Sequence, residues 1–354
     1  MKIVFTSVAN NYIPKARILA ESLKKFHPDW YFILLINDKN LGNKYKYGEF
    51  FDEILNINEL DIPNFNKWCF RYDVEEICTA AKPFAFLKIF EKYKPDFITF
   101  IDPDIKIFNK LIELEKILEL NDIILTPHLA SPETDKNLIV DNELSVLKHG
   151  IFNLGFLSVN NNENGNKFIQ WWRERLYDFC LKDYNLGLWT DQKWINLAPC
   201  YFDKIFILKD AGYNVATWNA SKRIISEKNS VFYVNDKLLR FYHFTGYDSG
   251  DGKIEVKKYL KFNPLLKKIW DQYDIDIKNS DIEDSNKECI FSIFLNGEKI
   301  NYSSRVQYRN NLKFYKDINP FEKNNEYFIS DNLKKKTSNL YIRIKNFLKK
   351  KIKT

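Results

Sequence analysis

The stretch "KPDFITFIDPDIKIF", residues 94–108, decides how the chain is read. Phe97, Ile98, Phe100 and Ile101 form a short apolar run that predicts one buried strand. Asp102 and Asp104 follow on either side of Pro103, where that strand should end. Two carboxylates so close repel each other and are costly to desolvate. A divalent cation is the usual reason to put them together, although Asp-Pro alone is also common surface-turn chemistry.

Working outward, "KIVFTSV" predicts a first strand. "NNYIPKARILAESLKKF" predicts a helix, with Pro14 in its first turn and Ile18, Leu19, Leu23 and Phe26 on one face. "WYFILLIND" and "DEILNI" read as a second and third strand. "VEEICTAAKPFAFLKIFEKY" reads as helix on both sides of Lys82-Pro83. This rhythm predicts an α/β fold, a mixed but mainly parallel sheet flanked by helices. Ligands of such sheets sit beyond the carboxyl ends of the strands, which puts Ser7, Asn37 and Asp102 along one rim. Further on, "LASPETDKNLIVDNELSVLKHG" reads as irregular and "NLGFLSVN" as a strand. "KFIQWWRERLYDFCLKDY" reads as an aromatic amphipathic helix. "SVFYVNDKLLRFYHFTG" reads as a hairpin whose second strand ends at His243.

The chain has 354 residues, 45% hydrophobic and 16% aromatic, enough for a large core with an appendage. Its five cysteines are scattered without CxxC spacing, which argues against a zinc site or disulfide framework and for a reducing, cytoplasmic setting. The start, "MKIVFTSVAN", is too short and polar for a signal-peptide core. No apolar run approaches the roughly 20 residues of a membrane-spanning helix. The net charge of +7 is a tail property: residues 334–354 hold nine Lys/Arg and no acid, leaving about −2 on residues 1–333. The folded body is therefore not expected to bind nucleic acid.

A histidine can complete a Mn²⁺ shell begun by two carboxylates. The chain has four histidines, and His243 ends a predicted strand just before a Gly-containing loop. From these residues the chain over 2–250 resembles a GT-A fold glycosyltransferase, nearest in pattern to glycosyltransferase family 8 and its bacterial relatives. "DPD" resembles the DxD motif, and "HFTG" the start of the HxxGxxKPW element whose histidine binds metal. "NLGFLSVN" resembles the NxG strand, "TDQKWIN" the DQ helix start, "AAKPFAF" the basic helix ahead of DxD, and "SVANNYIPKA" the loop over the uridine. The KPW lysine has no match in "HFTGYDSGDGK"; Lys253 follows at a different spacing.

The resemblance implies roles. Asp104 and His243 would bind Mn²⁺ or Mg²⁺, and Asp102 the metal or the donor ribose. Thr6, Ser7, Val8 and Asn37 would shape the nucleotide pocket, Lys82 would neutralise donor phosphate, and Asn153, Gly155 and Gly246 would border the donor. Asp191 and Gln192 would lie beside the anomeric carbon: an amide there suits retention, and inversion would make Asp191 the base. The donor would be a UDP-sugar, and the acceptor a bacterial surface glycan, glycolipid or glycoprotein. Trp189 is an acceptor-platform candidate.

Three regions follow: a catalytic body over 1–254, a mostly helical C-terminal extension over 255–333, and a basic amphipathic tail over 334–354. The tail carries Leu340, Ile344, Phe347 and Leu348 among lysines, a pattern suited to an anionic membrane, so the protein would be peripheral on the inner face. Two other enzyme classes fit less well. A haloacid-type phosphatase wants Thr or Val where Lys106 stands, and a nucleotide-sugar pyrophosphorylase wants a Gly-rich first loop. A non-catalytic sugar-nucleotide or glycan binder of the same fold is the non-enzyme alternative.

Overall fold

The run Phe97–Ile101 is buried along its whole length, and strands pair on both sides of it. In this computed structural model, which describes residues 1–39, 50–280 and 288–329, it is β4 of fourteen strands. Before it come β1 (Lys2–Val8), β2 (Tyr31–Ile36) and β3 (Glu53–Asn56). After it come β5 (Ile105–Ile107), β6 (Ile123–Pro127), β7 (Phe152–Asn160), β8 (Lys182–Asp183), β9 (Leu188–Trp189) and β10 (Ile205–Ile207). The last four are β11 (Ile225–Lys228), β12 (Val231–Val234), β13 (Lys237–Leu238) and β14 (Phe241–His243). The helices are α1 (Ile13–Phe26), α2 (Phe65–Phe70), α3 (Val74–Ala80), α4 (Lys82–Tyr93), α5 (Glu113–Leu120), α6 (Lys136–Leu138) and α7 (Leu144–His149). They continue with α8 (Glu163–Phe179), α9 (Gln192–Ile195), α10 (Ala198–Tyr201), α11 (Asp251–Tyr259), α12 (Leu265–Asn279) and α13 (Tyr302–Arg309).

The central sheet runs β10-β6-β7-β4-β1-β2-β3. β1, β2, β3 and β4 are mutually parallel, as the strand–helix rhythm predicts, and β10 is parallel to β6. β7 is the exception, lying antiparallel between β4 and β6. Its first residues therefore arrive where β4 and β6 end, with Phe156 opposite Ile101 and Asn153 opposite Thr126. A register shift between Leu125 and Thr126 marks a bulge there. Two short elements complete this edge. β5 turns back after the aspartates and pairs antiparallel with β14, setting His243 opposite Ile105.

The expected hairpin at residues 231–243 is only half formed. β12 pairs with β13 across Asn235 and Asp236, both at positive φ, and the chain then leaves so that Phe241–His243 joins β5. The segment expected to be irregular is in part helical: Asp135 caps α6 by accepting from the backbone N–H groups of Asn137 and Leu138.

The chain packs as two compact units. The first joins Met1–Asp61 to the described residues from Glu76 to 280. α11 and α12, which lie past residue 250, pack inside it. Tyr259, Leu266, Ile269, Trp270 and Tyr273 share a core with Val215, Tyr242 and Phe244, and Tyr273 stacks on Phe244 at 3.7 Å. The second unit joins Ile62–Glu75 to the described residues from Glu288 onward. Phe70 lies at its centre against Phe294, Tyr308, Phe321 and Phe328. Arg305 of α13 donates to the carbonyls of Cys69 and Phe70. The basic tail falls outside the described residues.

Candidate metal and donor site

The carboxyl edge of the sheet gathers residues far apart in sequence. Asp102 follows β4, Asp104 precedes β5 and His243 ends β14; their ligand atoms all lie within 4.8 Å of one another. His243 Nε2 is 3.0 Å from Asp104 Oδ1 and 3.9 Å from Asp102 Oδ2. The His243 side chain is 5% exposed while those of Asp104 and Asp102 are 18% and 26% exposed, so the carboxylates face outward from a buried ring.

Burial alone would lower the His243 pKa, but the field and hydrogen bond of Asp104, with the field of Asp102, more than offset it and raise it. Burial alone would raise Asp104; His243 again wins, and the carboxyl ends below its usual range. Asp102 is held above its usual range by burial, against the pull of Lys82 and His243.

Lys82 opens α4 and is buried beneath the aspartates. Its ammonium lies 3.2 Å from Asp191 Oδ2, 3.2 Å from the Leu154 carbonyl and 3.5 Å from Asp102 Oδ1. Burial lowers its pKa, and the two carboxylates more than restore it, so the lysine stays charged. It also stands 4.2 Å from the Phe100 ring centroid.

The two residues named from β7 hold the ring in place. Asn153 Oδ1 is 3.2 Å from His243 Nδ1, and its Nδ2 reaches Gln192 Oε1 at 3.2 Å and His128 Nε2 at 3.4 Å. His128 has its pKa lowered to about 4 by burial, so it is neutral at pH 7. With the ring nitrogen facing Asn153 as acceptor, His128 fixes the amide, and the amide oxygen then receives the Nδ1–H of His243. Nε2 is thereby turned toward the carboxylates. Gly155 lies against the cluster: a Cβ there would be 2.5 Å from His243 Cε1 and 2.9 Å from Asp102 Oδ2. Its carbonyl accepts from Asp102 N at 2.8 Å.

The donor set fits a hard or borderline divalent ion, with two carboxylate oxygens from the turn between β4 and β5 and one imidazole nitrogen from β14. His243 Nε2 and Asp104 Oδ1, 3.0 Å apart, are atoms that such an ion would take up.

The other expected residues are placed as follows. Gln192 Oε1 accepts from Asn153 Nδ2 and, at 3.3 Å, from Leu154 N. Asp191, its side chain 3% exposed, is tied to Lys82 and receives the Thr190 hydroxyl at 3.2 Å. On β1, Thr6 Oγ1 is buried with no partner among the described residues. Ser7 donates to the Cys78 carbonyl at 2.7 Å and accepts from Asn37 at 2.8 Å; Asn37 also reaches the Val8 carbonyl. Gly246 adopts φ +69°, turning the loop after His243 back on itself. Lys253 pairs with Asp274 at 2.8 Å. Tyr184 lies flat on Trp189 at 5.1 Å and His149 meets the same ring edge-on, so one face of Trp189 is covered.

Sequence reasoning gave no role to His128. It follows β6 directly, so the rule that singled out Asp102 at the end of β4 would also have flagged it. Lys15, within the quoted "SVANNYIPKA" but given no role of its own, lies in the first turn of α1.

No protein-family model matches the chain. Two Bacillus subtilis (strain 168) proteins are similar to it, both described as uncharacterized. YfnD is 22% identical over 246 residues, 68% of this chain and 76% of that protein. YfnF is 26% identical over 187 residues, 49% of this chain and 58% of that protein. Among solved structures, the galactosyltransferase LgtC in complex with donor and acceptor sugar analogues is similar over 70% of this chain and 88% of its own, at 17% identity and a TM-score of 0.43. A glycosyltransferase involved in glycosylation of the major capsid of PBCV-1 is similar over 73% of this chain and 98% of its own, at 12% identity and a TM-score of 0.40. Mouse xyloside xylosyltransferase 1 is similar over 69% of this chain and 98% of its own, also at 12% identity and 0.40.

Proposed function

We propose that the protein is a GT-A type glycosyltransferase that moves a hexose from a UDP donor to a hydroxyl of a glycan, glycolipid or glycoprotein, with Mn²⁺ or Mg²⁺ held by Asp102, Asp104 and His243. The observation that carries this reading is the Asp–Asp–His group at the carboxyl edge of the sheet, backed by a buried, charged lysine. A divalent ion there supplies charge neutralisation for a leaving diphosphate.

The chain's own residues do the rest. Lys82, fixed between Asp102 and Asp191, adds a positive charge that needs no reorganisation as negative charge develops. Asn153 and His128 hold the His243 ring so that one nitrogen is available for the ion. Asp191 is buried and paired, which suits orienting Lys82 better than receiving a proton from an acceptor. That favours Gln192 as the group nearest the anomeric carbon and, with it, retention of configuration. Thr6 Oγ1, buried and without a partner among the described residues, would meet the base or ribose. Nothing in this scheme requires nucleic acid, and the basic tail is the part suited to an anionic membrane.

Nucleotide sugars screened with Mn²⁺ should reveal UDP-sugar hydrolysis or transfer. Asp104→Ala should weaken Mn²⁺-dependent UDP binding by about tenfold or more, with little change in melting temperature. Unchanged UDP affinity in that variant would overturn the metal assignment. A wild-type protein that binds the donor but never cleaves it would instead be the non-catalytic sugar-nucleotide binder.

A further inference from the structure

Lys15 is a buried cation on the same edge. Its side chain is 7% exposed, with the ammonium 4.1 Å from the Tyr12 ring centroid and 5.5 Å from that of Tyr247. The carboxylate paired with it is Asp248, which is half exposed on the loop after His243. That loop starts from the aspartates, since Phe244 N donates to the Asp104 carbonyl at 2.8 Å. The charge on Lys15 is among those that pull the Asp104 carboxyl down.

An incoming diphosphate would bring about two negative charges to a rim already carrying Asp102, Asp104 and Asp191. Lys82 cannot meet it alone. An ammonium has three N–H donors, and three acceptors already lie within 3.5 Å of this one. Lys15 differs: among the described residues its ammonium has one hydrogen-bond acceptor, and that acceptor is on a solvent-facing loop. The two aromatic rings restrict the stem while leaving N–H donors for another anion.

We propose that Lys15 is a diphosphate-binding cation, which Asp248 occupies until the donor arrives. This rests on the donor reading above. Phosphate oxygens would replace the Asp248 carboxylate on the ammonium, and the freed carboxylate would turn to water on its turn at Gly246. Asp248 thus acts as a built-in competitor, keeping a buried charge paired when the site is empty.

Calorimetric titration with UDP and with uridine, both in Mn²⁺, tests this on the full chain. Lys15→Gln should weaken UDP about tenfold or more and leave uridine within about twofold of wild type; Lys15→Arg should keep most of the UDP affinity. Asp248→Asn should tighten UDP, a change opposite to what general damage gives. The inference is overturned if wild type binds UDP and Lys15→Gln binds it equally well, or if uridine weakens in parallel. If wild type binds none of UDP, GDP, CDP, ADP or dTDP with Mn²⁺, the donor reading falls and this inference with it.

Discussion

Gly155 concentrates the constraints of the site in one missing methyl group. A Cβ there would meet His243, Asn153 and Asp102 at once, at 2.5 to 2.9 Å. These are the groups whose placement matters, so any accommodation displaces them. Gly155→Ala should lower Mn²⁺ affinity by about tenfold or more while the melting temperature barely moves. Electron paramagnetic resonance titration with Mn²⁺ reads this directly, and wild-type affinity would show that the cluster is not the cation site. At this scale the sequence was legible where chemistry interrupts a pattern. Asp102 and Asp104 stand out because they end an apolar run. His243 is legible as a strand-end residue, and as a ligand through a resemblance. His128 and Lys15 did not stand out, because their meaning lies in partners elsewhere: Asn153 is 25 residues from His128, and Asp248 is 233 residues from Lys15. Periodicity does not encode such pairings.

Among the elements, strand existence was readable and strand direction was not. β7 carries the same apolar pattern whether it runs parallel or antiparallel, and "FYH" alternates as well against β13 as against β5. Only the order of strands in the sheet decides. α1 offers a test of how one element is fastened. Its capping residue His27 accepts a hydrogen bond from Leu111 N at 2.8 Å and lies 4.0 Å from the Trp30 ring. Burial lowers its pKa from 6.5 to about 4. The unfolded chain therefore takes up a proton first as pH falls. The stability due to neutral His27 is full above about pH 6.5 and is lost progressively down to about pH 4. At pH 5 the loss from this residue should be about 2 kcal/mol. Urea unfolding at pH 7 and pH 5 should show a smaller difference in His27→Gln than in wild type. An equal difference would mean that the ring is not held neutral.

For the molecule as a whole, the sequence separated a body from an extension near residue 254, while packing assigns α11 and α12 to the first unit. A mostly helical character past residue 255 was visible in the sequence, and α12 there buries Leu266, Ile269, Trp270 and Tyr273. Its partners, Tyr242 and Phe244, were not visible, since a stripe does not name what it meets. Among the described residues no helix is long and apolar enough to cross a membrane. The nine basic residues beyond 333 remain the part of the chain suited to a charged surface. Each contributes on the order of 1 kcal/mol near anionic lipid. Deleting 334–354 should leave donor hydrolysis nearly unchanged and weaken sedimentation with anionic liposomes, and added salt should weaken sedimentation of the intact chain. Loss of folding on truncation, or no liposome binding at low salt, would rule out the anchor.

The pairing of β14 with β5 also sets an order of events during synthesis. The last strand of the central sheet, β10, ends at Ile207, but the third member of the Asp–Asp–His group arrives only with His243. A nascent chain that has emerged as far as β10 already owns every strand of the sheet, with Asp102 and Asp104 at its edge and no imidazole beside them. Bringing β14 back to β5 closes a long loop, the kind of non-local contact that forms slowly. On the proposed metal assignment, cation capture would be withheld from translation intermediates, and the ion would bind only after the scaffold that must orient it is complete.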